Sequence, residues 1–162
     1  MSKSMGAGEA VVDLLEQAGV KTVFGLLGGS MLELYDALRM SKIGYVGARD
    51  ERAAGHMADA YARITGGPGV VLGAQAGPGV VNLTTAVAEA HLAYSPLVAI
   101  AGAISRDQAG RDTFQEVDQQ ALFAPISKKS ILVPSPERLP ELMAEAMRID
   151  MSGRRGPVVL HV

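Results

Sequence analysis

The feature of this sequence best suited to chemistry is a carboxylate that opens a helix directly after a strand. Gly47-Ala48-Arg49-Asp50-Glu51-Arg52-Ala53-Ala54 places Asp50 and Glu51 at such a junction, and the small residues that follow would let the helix lie close to a sheet. Position alone is satisfied by a plainer role. Two acids in a first turn cap the helix and complement its dipole, an effect worth roughly 0.3–1 kcal/mol.

Three other segments could line a pocket. Leu26-Leu27-Gly28-Gly29-Ser30 is a glycine turn into a helix, which could admit a ring or an anion near its backbone amides. Ala74-Gln75-Ala76-Gly77-Pro78-Gly79 has similar geometry, with Asn82 one helical turn further on. Asp112-Thr113-Phe114-Gln115-Glu116-Val117-Asp118 groups an aromatic, an amide and three carboxylates, for which a solvated loop is the default. His56, His91 and His161 have no metal-ligand spacing, so structural or surface roles are expected and no metal ligands are assigned.

The elements that must position these segments alternate along the chain. Glu9 to Ala18 has amphipathic helical spacing and stops at Gly19; a strand follows at Lys21 to Gly25. Met31 to Met40 reads as a helix with Ser30 as its N-cap, then Ile43 to Gly47 as a strand. Asp50 caps a third helix running to about Thr65, ended by Gly66-Gly67-Pro68-Gly69, and Val70 to Gln75 suits a central buried strand. Proline opens a fourth helix at Gly77-Pro78-Gly79, and a strand lies at Leu97 to Ala101. A long loop from Ile104 to Gln115 leads to a short helix near Gln119 to Ala124, a strand at Ser130 to Val133, a helix from Pro136 to Asp150 and a last strand at Val158 to Val162. The fold expected is α/β: a three-layer sandwich with about six strands in a mostly parallel sheet and helices on both faces. In such sheets ligands meet the loops at the carboxyl ends of strands, here the segments after Gly25, Gly47, Gln75 and Ala101, three of which contain notable residues.

Composition bounds the rest. The chain has 162 residues and is 48% hydrophobic, enough for one domain with a full core, so residues 1–162 are read as a single unit. Fifteen basic and seventeen acidic residues give a formal charge of -2 with no long single-sign run, which leaves no electrostatic footprint for nucleic acid or anionic lipid. The absence of cysteine excludes disulfides, thiolate metal sites and a cysteine nucleophile. The opening MSKSMGAGEA lacks a signal-peptide core, and no apolar run approaches the ~18 residues of a membrane span, so a soluble cytoplasmic protein is expected. Helices rich in Ala, Gly and Met, such as Ala53 to Ala60 and Val80 to Ala93, suit either close packing on the sheet or burial against another subunit.

Six segments in order, VFGLLGGSMLELYDAL, RDERAAGHMADAYARITGGPGVVL, AGPGVVNLTTAVAEA, SPLVAIAG, DTFQEVD and RRGPVVLHV, resemble the amino-terminal pyrimidine-binding domain of acetolactate synthases and related thiamine diphosphate decarboxylases and carboligases. The likeness runs almost from Glu9 to Val162. It implies that Glu51 hydrogen-bonds N1′ of the cofactor's aminopyrimidine and favours the imino tautomer, whose 4′ nitrogen removes the C2 proton. A carboxyl suits that place because it can share a proton with a weakly basic ring nitrogen. The activated cofactor would then act on a 2-oxo acid such as pyruvate. The resemblance also implies that Gly28 and Gly29 pack beside the thiazolium, that Gly77 and Asn82 line the pyrimidine side, and that Phe114 and Gln115 face the substrate.

Departures from the family pattern are Leu27 where proline is usual, Asp50 where histidine commonly precedes the glutamate, and Ala76 where serine often precedes the GPG, so the substrate preference does not carry over. The family's second α/β domain, which holds the diphosphate and Mg2+ through a GDG motif, has no counterpart here. The resemblance therefore implies a shared site, with the diphosphate-binding domain of another subunit or segment supplying the second wall, in a homodimer or larger oligomer. A segment of a longer enzyme and a small subunit like those of split sulfopyruvate decarboxylases both fit; the acetolactate synthase likeness favours the first. Rival expectations are a related sulfoacetaldehyde or oxalyl transferase and a non-catalytic dimerisation module in which Glu51 only caps a helix.

Overall fold

A computed structural model describes residues 5–73 and 75–162. Its six strands are β1 (Thr22–Leu26), β2 (Gly44–Gly47), β3 (Gly69–Gly73), β4 (Leu97–Ala101), β5 (Lys129–Leu132) and β6 (Val158–His161). Every pairing is parallel, in the order β2-β1-β3-β4-β6-β5. The helices are α1 (Ala7–Gln17), α2 (Leu32–Arg39), α3 (Glu51–Thr65), α4 (Pro78–Asn82), α5 (Thr84–Leu92), α6 (Gln119–Phe123) and α7 (Leu139–Met151).

Strand side chains alternate between two cores, as the period of two requires. Val70, Leu72, Val98, Ile100, Val158 and Leu160 pack with α1, α2 and α7 on one face. Val71, Leu97, Ala99, Ala101 and Val159 pack with α3 to α6 on the other. Every residue of β3, β4 and β6 is buried, which is why these strands read as continuous apolar runs. The result is the expected three-layer α/β sandwich.

On the second face α3 and α5 pack closely through small residues. Ala54, Ala58 and Ala62 recur every four residues along α3 and are all buried, and a Cβ built on Gly55 would stand 2.5 Å from that of Ala86 on α5. The small residues of α3 and α5 are thus largely consumed by packing within the chain.

Several boundaries differ from the sequence reading. Gly29–Met31 forms a 3-10 turn, and no side chain caps α2, so Ser30 is not its N-cap. The strand expected over Val70 to Gln75 ends at Gly73; residue 74 lies outside those described. The fourth helix divides at Leu83 into α4 and α5, and Pro136–Arg138 is a 3-10 turn ahead of α7. Among the described residues no helix is long and apolar enough to cross a membrane.

Candidate functional site

Strand order reverses between β1 and β3: the chain passes from β1 outward to β2, then returns to the other side of β1. The loops leaving β1 and β3 diverge there and leave a crevice at the carboxyl edge of the sheet. Glycine turns follow both strands, and Glu51 begins α3 beside them, after β2.

Glu51 is 5% exposed, although it is a first-turn acid. Asp50, not Glu51, performs the capping: its side chain accepts from the Arg52 N–H at 2.8 Å. The Glu51 carboxylate instead points across to α4. Its Oε2 accepts from Asn82 Nδ2 at 3.1 Å, and its Oε1 lies against Gly79, where a Cβ would stand 2.8 Å away. Among the described residues Oε1 has no hydrogen-bond donor. A nearly buried carboxylate with one oxygen anchored and the other without a donor, packed where only glycine leaves it uncrowded, fits a ligand that brings its own ring nitrogen.

A second set of contacts ties three turns together. The Gly29 N–H donates to Gln75 Oε1 at 3.1 Å, and Gln75 Nε2 donates to Gln115 Oε1 at 2.7 Å. Gln115 holds a left-handed backbone, φ 69°. Gly77, φ 67°, passes so close that a Cβ there would stand 2.5 Å from the Gln115 carbonyl oxygen; both conformation and space demand glycine. Gly29, Gln75, Phe114 and Gln115 line a cavity of about 980 Å³ on the α1/α2/α7 side.

The sequence-derived residues therefore fall into two groups. Glu51 and Asn82 are in contact; Gly29 and Gln115 are joined through Gln75, and Gly77 packs directly against Gln115; Gly28 sits in extended backbone just ahead of Gly29. Phe114 is 84% exposed. Gln75 and Gly79 lie in the segment Ala74 to Gly79 that the sequence marks as possible pocket lining, but neither was given a role of its own. Gly79 lies in the GPG signal, whereas nothing in local spacing marks Gln75.

Two of the loop's three carboxylates, Glu116 and Asp118, are accounted for structurally. Glu116 accepts from the Gly110 and Thr113 N–H groups, which hold its carboxyl below the usual range, and so it staples the loop closed. Asp118 caps α6 by accepting from the Ala121 N–H at 3.0 Å. Beneath the crevice the Tyr35 hydroxyl donates to Leu26 O at 2.8 Å, and burial pushes it well above its ordinary pKa, so it stays a neutral phenol.

His161 is also structural. Gln119 Nε2 donates to Gly102 O, so Gln119 Oε1 must accept from His161 Nδ1, 3.0 Å away. That leaves Nε2 to accept from Ser130 Oγ at 2.8 Å. Burial lowers the imidazole pKa to about 4 and keeps the ring neutral. Among the described residues no cluster of three His, Cys, Asp or Glu side chains could hold a metal ion.

The family model described as thiamine pyrophosphate enzyme, N-terminal TPP binding domain, matches residues 5–122. Among curated proteins, the chain is 44% identical over 161 residues to the acetolactate synthase isozyme 1 large subunit of Escherichia coli K12, covering 99% of this chain and 28% of that protein. It is 42% identical over 154 residues to the probable acetolactate synthase large subunit of Methanocaldococcus jannaschii, covering 95% and 26%. The acetolactate synthase large subunit of Corynebacterium glutamicum is 40% identical over 159 residues, covering 98% and 25%. The chain spans about a quarter of the length of the curated relatives it matches.

Proposed function

Because the chain belongs to the thiamine pyrophosphate enzyme N-terminal TPP-binding domain family, we propose that it forms the pyrimidine-binding wall of an acetolactate synthase-like 2-oxo acid decarboxylase or carboligase, with Glu51 as the activating carboxylate. The observation that carries this reading is the Glu51 carboxylate: nearly buried, anchored on one oxygen by Asn82, and without a donor on the other, which lies against Gly79.

When bound, thiamine diphosphate supplies the electron sink that lets a 2-oxo acid lose carbon dioxide. The chain's own part is to hold a proton where the pyrimidine needs it. Glu51 Oε1 shares that proton with a ring nitrogen, and Asn82 keeps the carboxylate from turning away. Gly79 leaves Oε1 uncrowded, and the near-complete burial of Glu51 limits the water that would otherwise compete for the same oxygen. Gly28, Gly29 and Gly77 present bare backbone at the crevice, and Phe114 and Gln115 face the substrate side.

The diphosphate and Mg2+ belong to a separate diphosphate-binding domain, on another subunit or segment, in a cytoplasmic homodimer or larger oligomer. The length ratio to the acetolactate synthase relatives supports such a second component. Calorimetric titration of thiamine diphosphate and Mg2+ tests the arrangement: tight binding is expected only when a diphosphate-binding domain is added. In the assembled enzyme Glu51→Gln should lower turnover by about 10²- to 10⁴-fold while leaving the fold intact. Unchanged turnover would reduce Glu51 to a helix-terminal acid and the chain to an assembly module.

A further inference from the structure

The contacts among Gly29, Gln75 and Gln115 have a fixed direction. A backbone N–H can only donate, so the 3.1 Å contact with Gly29 fixes the Gln75 side chain with its oxygen toward Gly29. The Gln75 NH2 must then face Gln115, which accepts through Oε1 at 2.7 Å. With that oxygen occupied, the end of Gln115 left over is its NH2, which has no acceptor among the described residues and belongs to a side chain lining the 980 Å³ cavity. An amide that could have shown the cavity either a donor or an acceptor shows it a donor.

The backbone around this relay is held to match. Gln115 sits at φ 69°, a conformation that costs a non-glycine residue energy, and Gly77 packs directly against its carbonyl. Gln75 therefore connects the turn after β1, the turn after β3 and the loop that carries Phe114, and does so across the crevice where the strand order reverses.

We propose that Gln75 is a positioning residue: it sets the polarity of Gln115 so that the Gln115 NH2 donates to an oxygen of the substrate, the carboxylate or carbonyl of a 2-oxo acid. The inference rests on the proposed function for its substrate, but the relay itself can be tested without cofactor.

Gln75→Glu and Gln75→Leu separate positioning from simple support. The introduced carboxylate of Gln75→Glu keeps the bond from Gly29, but it can only accept from Gln115, whose amide must turn over and show the cavity an oxygen. Gln75→Leu removes both bonds and leaves the Gln115 amide free to rotate. By NMR of the chain alone, the side-chain NH2 of Gln115 should exchange quickly with solvent in the parent and become protected in Gln75→Glu. In the reconstituted holoenzyme, Gln75→Glu should raise KM for the 2-oxo acid about tenfold or more with a smaller change in kcat, and Gln75→Leu should raise it less.

A purely structural role predicts the reverse order, because Leu loses both contacts and Glu loses neither. Unaltered exchange of the Gln115 NH2 in Gln75→Glu, or a larger KM effect for Leu than for Glu, would overturn the proposal. A failure of the cofactor reading would show separately, as a fully active Glu51→Gln enzyme.

Discussion

Asn82 Nδ2 lies 3.1 Å from Glu51 Oε2, so the last residue of α4 fixes the first residue of α3 across thirty-one positions of sequence. The contact turns a helix-terminal acid into an oriented one. Removing it by Asn82→Ala leaves a nearly buried carboxylate oxygen without its donor, a change expected to cost about 1–3 kcal/mol of stability. Urea denaturation of the chain measures that cost. In the reconstituted enzyme the same variant should bind thiamine diphosphate about tenfold more weakly, as the carboxylate loses its fixed direction.

Gly79→Ala probes the other oxygen of the same carboxylate. Gly79 is helical, so alanine fits its backbone, but the new methyl would stand 2.8 Å from Glu51 Oε1 and 3.1 Å from Gln75 Cβ. The end of a flexible side chain yields more easily than backbone, so Glu51 will move. The expected outcome is a stability loss of only about 1 kcal/mol together with loss of most turnover. Thermal melting and initial rates on the same preparation check it; parallel losses in both would mean that the helix, not the carboxylate, had shifted.

Most of the scaffold was legible because local pattern and tertiary environment agree. Leu97–Ala101 is apolar at every position and lies in the sheet's centre, so its limits were readable to the residue. The asymmetry between Asp50 and Glu51 was not: both satisfy a first-turn acid, and only the fold reveals that Asp50 takes the capping role while Glu51 turns inward. Ser30 has the right type for a cap, but the 3-10 turn at Gly29–Met31 removes the geometry a cap requires. The linking role of Gln75 was invisible for a different reason. Its partners are 46 and 40 positions away, and a single glutamine in a turn generates no periodic signal.

The packing of α3 on α5 gives a third prediction. A methyl at Gly55 would meet Ala86 Cβ at 2.5 Å, between two helices that cannot both stay in place. Gly55→Ala should therefore destabilise by about 1–3 kcal/mol, despite alanine's better helix propensity. Adding Ala86→Gly should restore part of the loss. Denaturant midpoints for the single and double variants test this, and equal midpoints for Gly55→Ala and the parent would show that the helices can separate freely.

Two buried groups far from Glu51 set opposing pH dependences. Asp150, at the end of α7, is wholly buried, and neither carboxyl oxygen has a hydrogen-bond partner among the described residues. Lys128 is near, but its ammonium donates to the Ile149 and Ser152 carbonyls. Burial raises the Asp150 pKa to about 7 from 3.8; the adjacent Met151 N–H, too poorly aligned to count as a hydrogen bond, opposes the shift most, followed by Lys128 and Arg155. The folded state thus binds the proton more tightly than the unfolded one, and stability declines as pH rises from about 4 through 7. His161 does the reverse: its pKa is lowered from 6.5 to about 4, so the unfolded state takes up the proton first and stability declines as pH falls from 6.5 through 4. Between these limits the two slopes largely cancel, and only the Asp150 decline continues from 6.5 to 7. Asp150→Asn removes one slope without emptying the space. At pH 8 the variant should be more stable than the parent by on the order of 3–4 kcal/mol, and near pH 4 the advantage should vanish. Denaturant titrations at both pH values decide it: an advantage independent of pH would mean that the Asp150 carboxyl is not the group being titrated.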